Sequence, residues 1–123
     1  MAKTALELTA EELRRYNPSK NWEQSLAPER WEKAWTLVPQ LASLLREQFG
    51  ATRVVVFGSL THRDRYTRWS DIDLAAWDIP AERFYGAAIA VTEISPDFKV
   101  DLIDPDCCRP SIRQIIDREG IDV

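Results

Sequence analysis

Three aspartates occupy the positions in this chain best suited to chemistry. Residues 71–77 are predicted to form a strand, and because successive side chains point to opposite faces of a strand, Asp71 and Asp73 fall on one face. Asp101 has the same kind of position in an alternating run, 98–103. Clustered carboxylates repel one another unless a hard cation such as Mg²⁺ lies between them. If the two strands are neighbours, the three side chains form a triad for one or two metal ions.

A third apolar run precedes the aspartates. Residues 54–57 are Val-Val-Val-Phe, the pattern of a strand buried on both faces, and the run ends at Gly58-Ser59. Glycine allows a close approach of another group, and serine offers a hydroxyl and begins turns. We therefore expect backbone N–H groups of Gly58 and Ser59 to hold phosphate oxygens.

Gly58-Ser59, Asp71-Ile72-Asp73 and Asp101 together resemble the active-site signature of the nucleotidyltransferase superfamily related to DNA polymerase beta. The short chain is similar to the minimal members of that superfamily, the MNT proteins, which commonly pair with a HEPN-domain protein in prokaryotic toxin–antitoxin operons. The resemblance covers about residues 53–104. The chain departs from the usual spacing, because eleven residues rather than ten separate Ser59 from Asp71.

The resemblance implies a fold and a site. The fold is α/β (α+β): a short mixed sheet flanked by helices, the nucleotidyltransferase fold, with an N-terminal helical extension. Asp71 and Asp73 would bind two Mg²⁺ ions, and Asp101 would bind the ion at the attacking hydroxyl. Gly58 and Ser59 would hold the β- and γ-phosphates of ATP.

A charged loop joins the two halves of this motif. It carries Arg63, Arg65 and Arg68, and it ends at Ser70, beside the aspartates. Guanidinium groups match phosphate geometry, so we assign Arg63 and Arg65 to nucleotide binding, together with Ser70 beside the aspartates. The alternative is that the loop is simply solvated. Arg63 stands where the family often has a small residue. His62 is interpreted as a loop residue rather than a base.

Three functions remain open. The resemblance implies transfer of AMP from ATP to a hydroxyl, plausibly a tyrosine, of a HEPN toxin, so that the chain is an antitoxin. Alternatively, the chain is a binding module that neutralises its partner by covering it, and its five tryptophans suit an interface. A third alternative keeps the chemistry and makes the acceptor a small molecule.

Length and composition narrow the class of protein. A chain of 123 residues is one domain, small for an enzyme that works alone, so we expect a hetero-oligomer, with a homodimer as the alternative. The net charge of −4 argues against direct nucleic-acid binding. We expect neither a membrane span nor a signal peptide, and we interpret the adjacent Cys107 and Cys108 as loop residues that neither bridge each other nor complete a zinc site. We expect a cytoplasmic protein.

A helix is predicted from Pro28 to Phe49, with Gly50 as its stop. Pro39 lies inside it, so we expect a kink or two consecutive helices meeting near Val38. Its apolar stripe is typical of packing against a sheet, and a partner surface is the alternative. The stripe comprises Trp31, Trp35, Val38, Leu41, Leu45 and Phe49.

Three further helices are predicted over 10–16, 80–94 and 111–119. We divide the chain into an extension, 1–50, that packs on a core, 51–123. The inward residues predicted for the last two helices are Phe84, Ala87, Ala88, Val91 and Ile94, and Ile112, Ile115 and Ile116.

Overall fold

The computed structural model describes residues 26–123, which form a mixed sheet with a helix before it, between its strands and near its end. The helix predicted over 10–16 lies outside the described residues. In chain order the elements are α1 (Pro28–Phe49), β1 (Arg53–Phe57), a first 3₁₀ turn (Gly58–Thr61), a second 3₁₀ turn (Arg63–Arg65), β2 (Ile72–Trp77), α2 (Ala81–Glu93), β3 (Val100–Ile103), α3 (Pro110–Glu119) and β4 (Ile121–Asp122).

The strands lie in the order β3-β2-β1-β4. β1 runs antiparallel to β2, with Phe57 opposite Asp73. β2 and β3 are parallel, with Asp73 opposite Asp101. Parallel neighbours need a crossover connection, and α2 supplies it. The predicted mixed sheet, with the second and third strands side by side, is therefore confirmed.

Both faces of the sheet are covered. One face packs against α1 and α2, and in β2 it is formed by Ile72, Leu74 and Ala76. The other face packs against α3 through a smaller cluster that includes Ala75. Side chains alternate along a strand, so Asp73 points to the same side as Ala75. The buried members of the smaller cluster are Val55, Phe57, Ala75 and Ile116.

Helix α1 is continuous from Pro28 to Phe49 although Pro39 lies within it, so the expected division into two helices is wrong. Proline removes one backbone hydrogen bond, but burial on both sides of it favours a single helix. Val38 and Leu41 are both buried in the main core, whereas Pro39 is exposed. Gly50 ends the helix in the left-handed conformation, φ 77°, as predicted.

The α1 stripe packs on the sheet. Its middle residues are buried, and Trp31, Trp35 and Phe49 are partly buried against the same core. Because α1 supplies part of the core, it is integral to the fold, while the division of the chain at residue 50 stays a prediction. No helix among the described residues has the length and apolar character that crossing a membrane requires.

Two details of the carboxyl-terminal half differ from expectation. Ile94 was predicted to face inward, but it lies just past the end of α2 and its side chain is exposed. Strand β4 was not predicted, because two residues are too few to show alternation. It pairs with β1, and the Arg53 Nε to Asp122 Oδ1 distance between their side chains is 2.7 Å.

Candidate active site

The three aspartates gather where β2 and β3 begin. Asp73 and Asp101 lie opposite each other in the parallel register. Both carboxylates point to the α3 side of the sheet, since each alternates with residues of the main core. Asp71 was predicted inside the strand but precedes it, because β2 begins at Ile72, whose N–H donates to the Lys99 carbonyl at 3.0 Å.

Asp73 is the electrostatic centre of this group. The pKa of its carboxyl is raised from the ordinary 3.8 to about 6, mainly by burial and also by the charges of Asp101 and then Asp71. Lys99 acts against them. Its Nζ lies 3.8 Å from Asp101 Oδ1. A half-buried carboxylate flanked by two others favours a cation beside it.

The backbone of the first 3₁₀ turn lies directly against Asp73. Gly58 has φ 75°, a conformation that suits glycine. A β-carbon at this residue would lie 2.6 Å from Asp73 Oδ2. The structure therefore brings Gly58 to the aspartates, and Ser59 follows it in the same half-buried turn.

Helix α1 anchors this turn through two indole groups. The Nε1 atoms of Trp31 and Trp35 both donate to the carbonyl oxygen of Leu60, at 2.9 and 3.1 Å. Their rings meet edge to face, with centroids 6.2 Å apart. The side chain of Leu60 is fully buried in the main core. The turn that begins at Gly58 is thus held from the helix side as well as by the sheet.

Ser70 serves a turn within the loop. Its hydroxyl accepts the Thr67 N–H at 3.0 Å and lies 3.1 Å from the Thr67 hydroxyl, while its own N–H donates to the Thr67 carbonyl. The Ser70 carbonyl accepts the hydroxyl of Tyr66, whose side chain is fully buried. The Ser70 hydroxyl is thus engaged within the turn. The role of Ser70 in nucleotide binding stays a prediction.

The two arginines assigned to nucleotide binding are both exposed, and their role stays a prediction. The Arg63 guanidinium lies 3.4 Å from Glu32 and above the Trp31 ring, so it faces α1. Arg65 is exposed on the second 3₁₀ turn. Sequence reasoning instead missed Lys99, although its position two residues before Asp101 in an alternating run puts both side chains on one face.

His62 joins the loop to the end of α3. Its Nε2 lies 3.4 Å from Glu119 Oε1, yet the geometry does not make a hydrogen bond, and Nε2 is buried without a partner among the described residues. The short distance indicates that the two side chains interact, because a small rotation of the imidazole ring would complete a hydrogen bond between them. His62 is therefore a half-buried contact of the loop.

The donor set suits magnesium without forming a finished cage. Asp101 and Asp71 each act on Asp73, but across residues 26–123 no three His, Cys, Asp or Glu side chains form a group that could hold a metal ion, so the predicted triad is not closed in this structure. Mg²⁺ in enzymes is usually bound by one or two carboxylates, with substrate phosphates and waters in its other positions. Asp73 with Asp101 or Asp71 meets that requirement.

A separate cleft of about 630 Å³ opens at the start of α1. Arg30 reaches across it to stack on Phe98, and its Nη2 donates to the Asp97 carbonyl at 2.9 Å. None of the three aspartates lines this cleft. The aspartate group and the first 3₁₀ turn, rather than this cleft, make up the candidate active site.

Comparison with known proteins relates the fold to two solved structures. A chain of a mutant form of the toxin–antitoxin MntA-HpeT is 24% identical, with a TM-score of 0.56 over 69% of each chain. A chain of a toxin–antitoxin solved with AMP-PNP is 22% identical, with a TM-score of 0.54 over 71% of this chain and 69% of that one. No family model and no curated protein matches the chain. Because both sequence identities are below 25%, what these two likenesses show is a shared fold.

Proposed function

We propose that the chain is a metal-dependent nucleotidyltransferase of the MNT kind. In this proposal it transfers AMP from ATP to a hydroxyl, a tyrosine, of a HEPN-domain toxin and so acts as its antitoxin. One observation carries the proposal: Asp73 lies between Asp101 on the neighbouring strand and the backbone of Gly58. That arrangement puts carboxylates for a cation next to a turn for phosphate.

Each residue has a distinct role in the proposed reaction. Asp71 and Asp73 would hold two Mg²⁺ ions, and Asp101 would take part in holding one of them. The bound ions would neutralise the charge on the phosphates and lower the pKa of the acceptor hydroxyl. Gly58 and Ser59 hold the β- and γ-phosphates through their backbone N–H groups.

The transfer is an in-line displacement at the α-phosphorus of ATP. The acceptor oxygen forms a bond to this phosphorus, the bond to the bridging oxygen of the β-phosphate breaks, and pyrophosphate leaves. Asp101 takes the proton of the acceptor hydroxyl. Its side chain is 42% exposed and lies at the edge strand β3, where an acceptor from another protein can reach it.

The comparisons support this proposal for the nucleotide and for a toxin partner, but they do not identify the acceptor. Both structures that share the fold are toxin–antitoxin proteins, and one was solved with AMP-PNP, an ATP analogue. A toxin partner and a nucleotide ligand for this chain are inferred from that likeness. Tyrosine as acceptor and HEPN as partner come from the family resemblance of the motif.

The decisive test is intact mass spectrometry after incubation with ATP and Mg²⁺, with and without the product of the adjacent gene. We expect that product to gain one or more AMP masses. Asp71→Asn and Asp101→Asn should abolish the gain. Asp97→Asn is the matched control, because Asp97 is an exposed aspartate four residues before Asp101 and outside the group. Undiminished transfer by the Asp71 variant would overturn the proposal.

A second candidate is a binding module that neutralises its partner by covering it. The observation that favours it is the exposed apolar side of α2, where Tyr85 is 77% and Ile89 42% exposed. Large exposed aromatic residues are typical anchors of protein interfaces. In this case the aspartate variants would still form the complex on a sizing column and still suppress toxicity in cells.

A further inference from the structure

Trp69 is an exposed tryptophan next to the candidate active site. It lies two residues before Asp71, and 67% of its surface is exposed, whereas Trp31, Trp35 and Trp77 are partly buried. An exposed indole contributes little to the core. Because Trp69 lies two residues from Asp71 and is exposed, it is available to contact a molecule bound at the site.

The turn that carries Trp69 is held in place. The Trp69 N–H donates to the Thr67 hydroxyl at 3.3 Å, and Thr67 and Ser70 are joined by the hydrogen bonds described above. Tyr66, fully buried, fixes the start of this turn, and its backbone carbonyl accepts the N–H of Ala27 at 3.0 Å. A platform for a flat ligand has to be rigid, and this turn meets that condition.

One face of the indole is already occupied. The Arg68 guanidinium lies over the ring, 4.3 Å from its centroid, and with this contact in place the residue is still 67% exposed. The residues on either side are polar, and the other large exposed apolar residues of the described chain belong to α2, its end and β4. A protein hot spot is usually surrounded by further contacts that exclude water. An isolated ring amid polar groups suits a flat ligand with polar edges better.

We propose that Trp69 is the stacking platform for the base of the nucleotide donor. Every nucleobase has a π-face that stacks on an aromatic ring, and a cation on the far face of that ring adds attraction. The inference rests on the proposed function, because the base must come from a nucleotide whose phosphates lie at Asp73 and the first 3₁₀ turn. It adds a residue that binds the base but takes no part in the transfer.

Isothermal titration of the full chain with AMP-PNP and with inorganic tripolyphosphate, both with Mg²⁺, tests this inference. We expect Trp69→Ala to weaken AMP-PNP binding about tenfold or more and to leave tripolyphosphate binding unchanged. Trp69→Phe should keep most of the affinity, because it keeps an aromatic face. Tyr85→Ala is the matched control, an equally exposed aromatic residue on α2, and should bind both ligands as the wild type does.

The outcomes separate the two proposals. If the wild type binds AMP-PNP and Trp69→Ala binds it equally well, the stacking role is wrong and the proposed function stands. If Trp69→Ala loses affinity for both ligands to the same degree, the residue shapes the turn and does not bind the base. If Trp69→Ala binds both ligands as the wild type does but no longer co-elutes with the product of the adjacent gene on a sizing column, Trp69 is an interface residue and the stacking role is wrong. A wild type that binds neither ligand would overturn the proposed function itself.

Discussion

The Asp73 carboxylate lies against Gly58, in the space that a side chain at residue 58 would occupy. The α-carbon of Gly58 leaves no room for a β-carbon, which would lie 2.6 Å from Asp73 Oδ2. Gly58 directly follows β1, and Asp73 lies near the start of β2. The antiparallel pairing of these two strands brings the residues together. The glycine therefore has two separate requirements, a positive φ and an open space for a carboxylate.

These two requirements can be separated with a pair of glycines. Gly58→Ala should lower stability by about 1–2 kcal/mol through its left-handed backbone and should also displace the Asp73 carboxylate. Gly50→Ala is the control, since its φ is 77° but nothing lies within 4 Å of the added carbon. We expect both variants to lose stability in urea unfolding, Gly58→Ala at least as much as Gly50→Ala, and only Gly58→Ala to lose nucleotide transfer. Equal activity in the two would show that the contact is unimportant.

The raised pKa of Asp73 predicts a stability that falls as pH rises. In the folded protein the pKa is about 6, above its ordinary 3.8, so between these values the folded state keeps a proton that the unfolded chain releases. Wild-type stability should decrease through this window and stay lower above it, where the ionised carboxyl costs about 1–2 kcal/mol after solvent screening.

Asp73→Asn removes this penalty. The variant should be more stable than the wild type at pH 7 while losing activity, and the difference should close near the ordinary pKa of 3.8. Urea unfolding from pH 4 to pH 8 measures it, with the exposed Asp64→Asn as control. A variant that is less stable than the wild type at pH 7 would contradict the burial of an unpaired charge.

The shared acceptor of Trp31 and Trp35 predicts strong coupling between them. Trp31→Phe or Trp35→Phe alone leaves the Leu60 carbonyl with one donor and should cost about 1 kcal/mol. The double variant leaves this buried carbonyl with no indole partner, so its cost should exceed the sum of the two. Urea unfolding of the four proteins gives the coupling directly. Additive costs would mean that water replaces either indole freely.

Tyr66 should resist ionisation well into alkaline solution. Burial raises the pKa of its hydroxyl from 10.0 to about 12, and the charges of Asp71 and Asp73 act in the same direction, while Arg30 opposes them. The proton kept by the folded state stabilises it below pH 10, and that stability is lost as pH rises towards 12. Titration of tyrosine absorbance should show one late group, which Tyr66→Phe removes. An early, complete titration in the folded protein would contradict this.

Local patterns were enough to predict most of the framework. The alternation around Asp73 and Asp101 identified two strands, and their order in the sheet followed from the idea of one shared site. Glycine and proline located the ends of α1 within a residue. These features depend on neighbours along the chain, which a sequence displays directly.

Contacts between distant residues were not predictable in the same way. The pairing of two indoles with one carbonyl joins residues 25 and 29 positions apart, and nothing near Trp31 or Trp35 indicates it. The Arg63 side chain turned to Glu32 because an acidic partner was available on α1. Strand β4 was missed because two residues carry too little pattern. Lys99 could have been found, since it shares the alternation of Asp101.

Because α1 anchors the first 3₁₀ turn, the position of this helix determines the position of the turn beside Asp73. A shift of α1 along its axis must either break both indole bonds or carry Leu60, and with it Gly58, away from Asp73. The outer surface of the helix bears Glu32, which holds Arg63 of the same loop. A molecule bound to that surface that displaced α1 would therefore act on the carboxylates through Leu60 and Gly58.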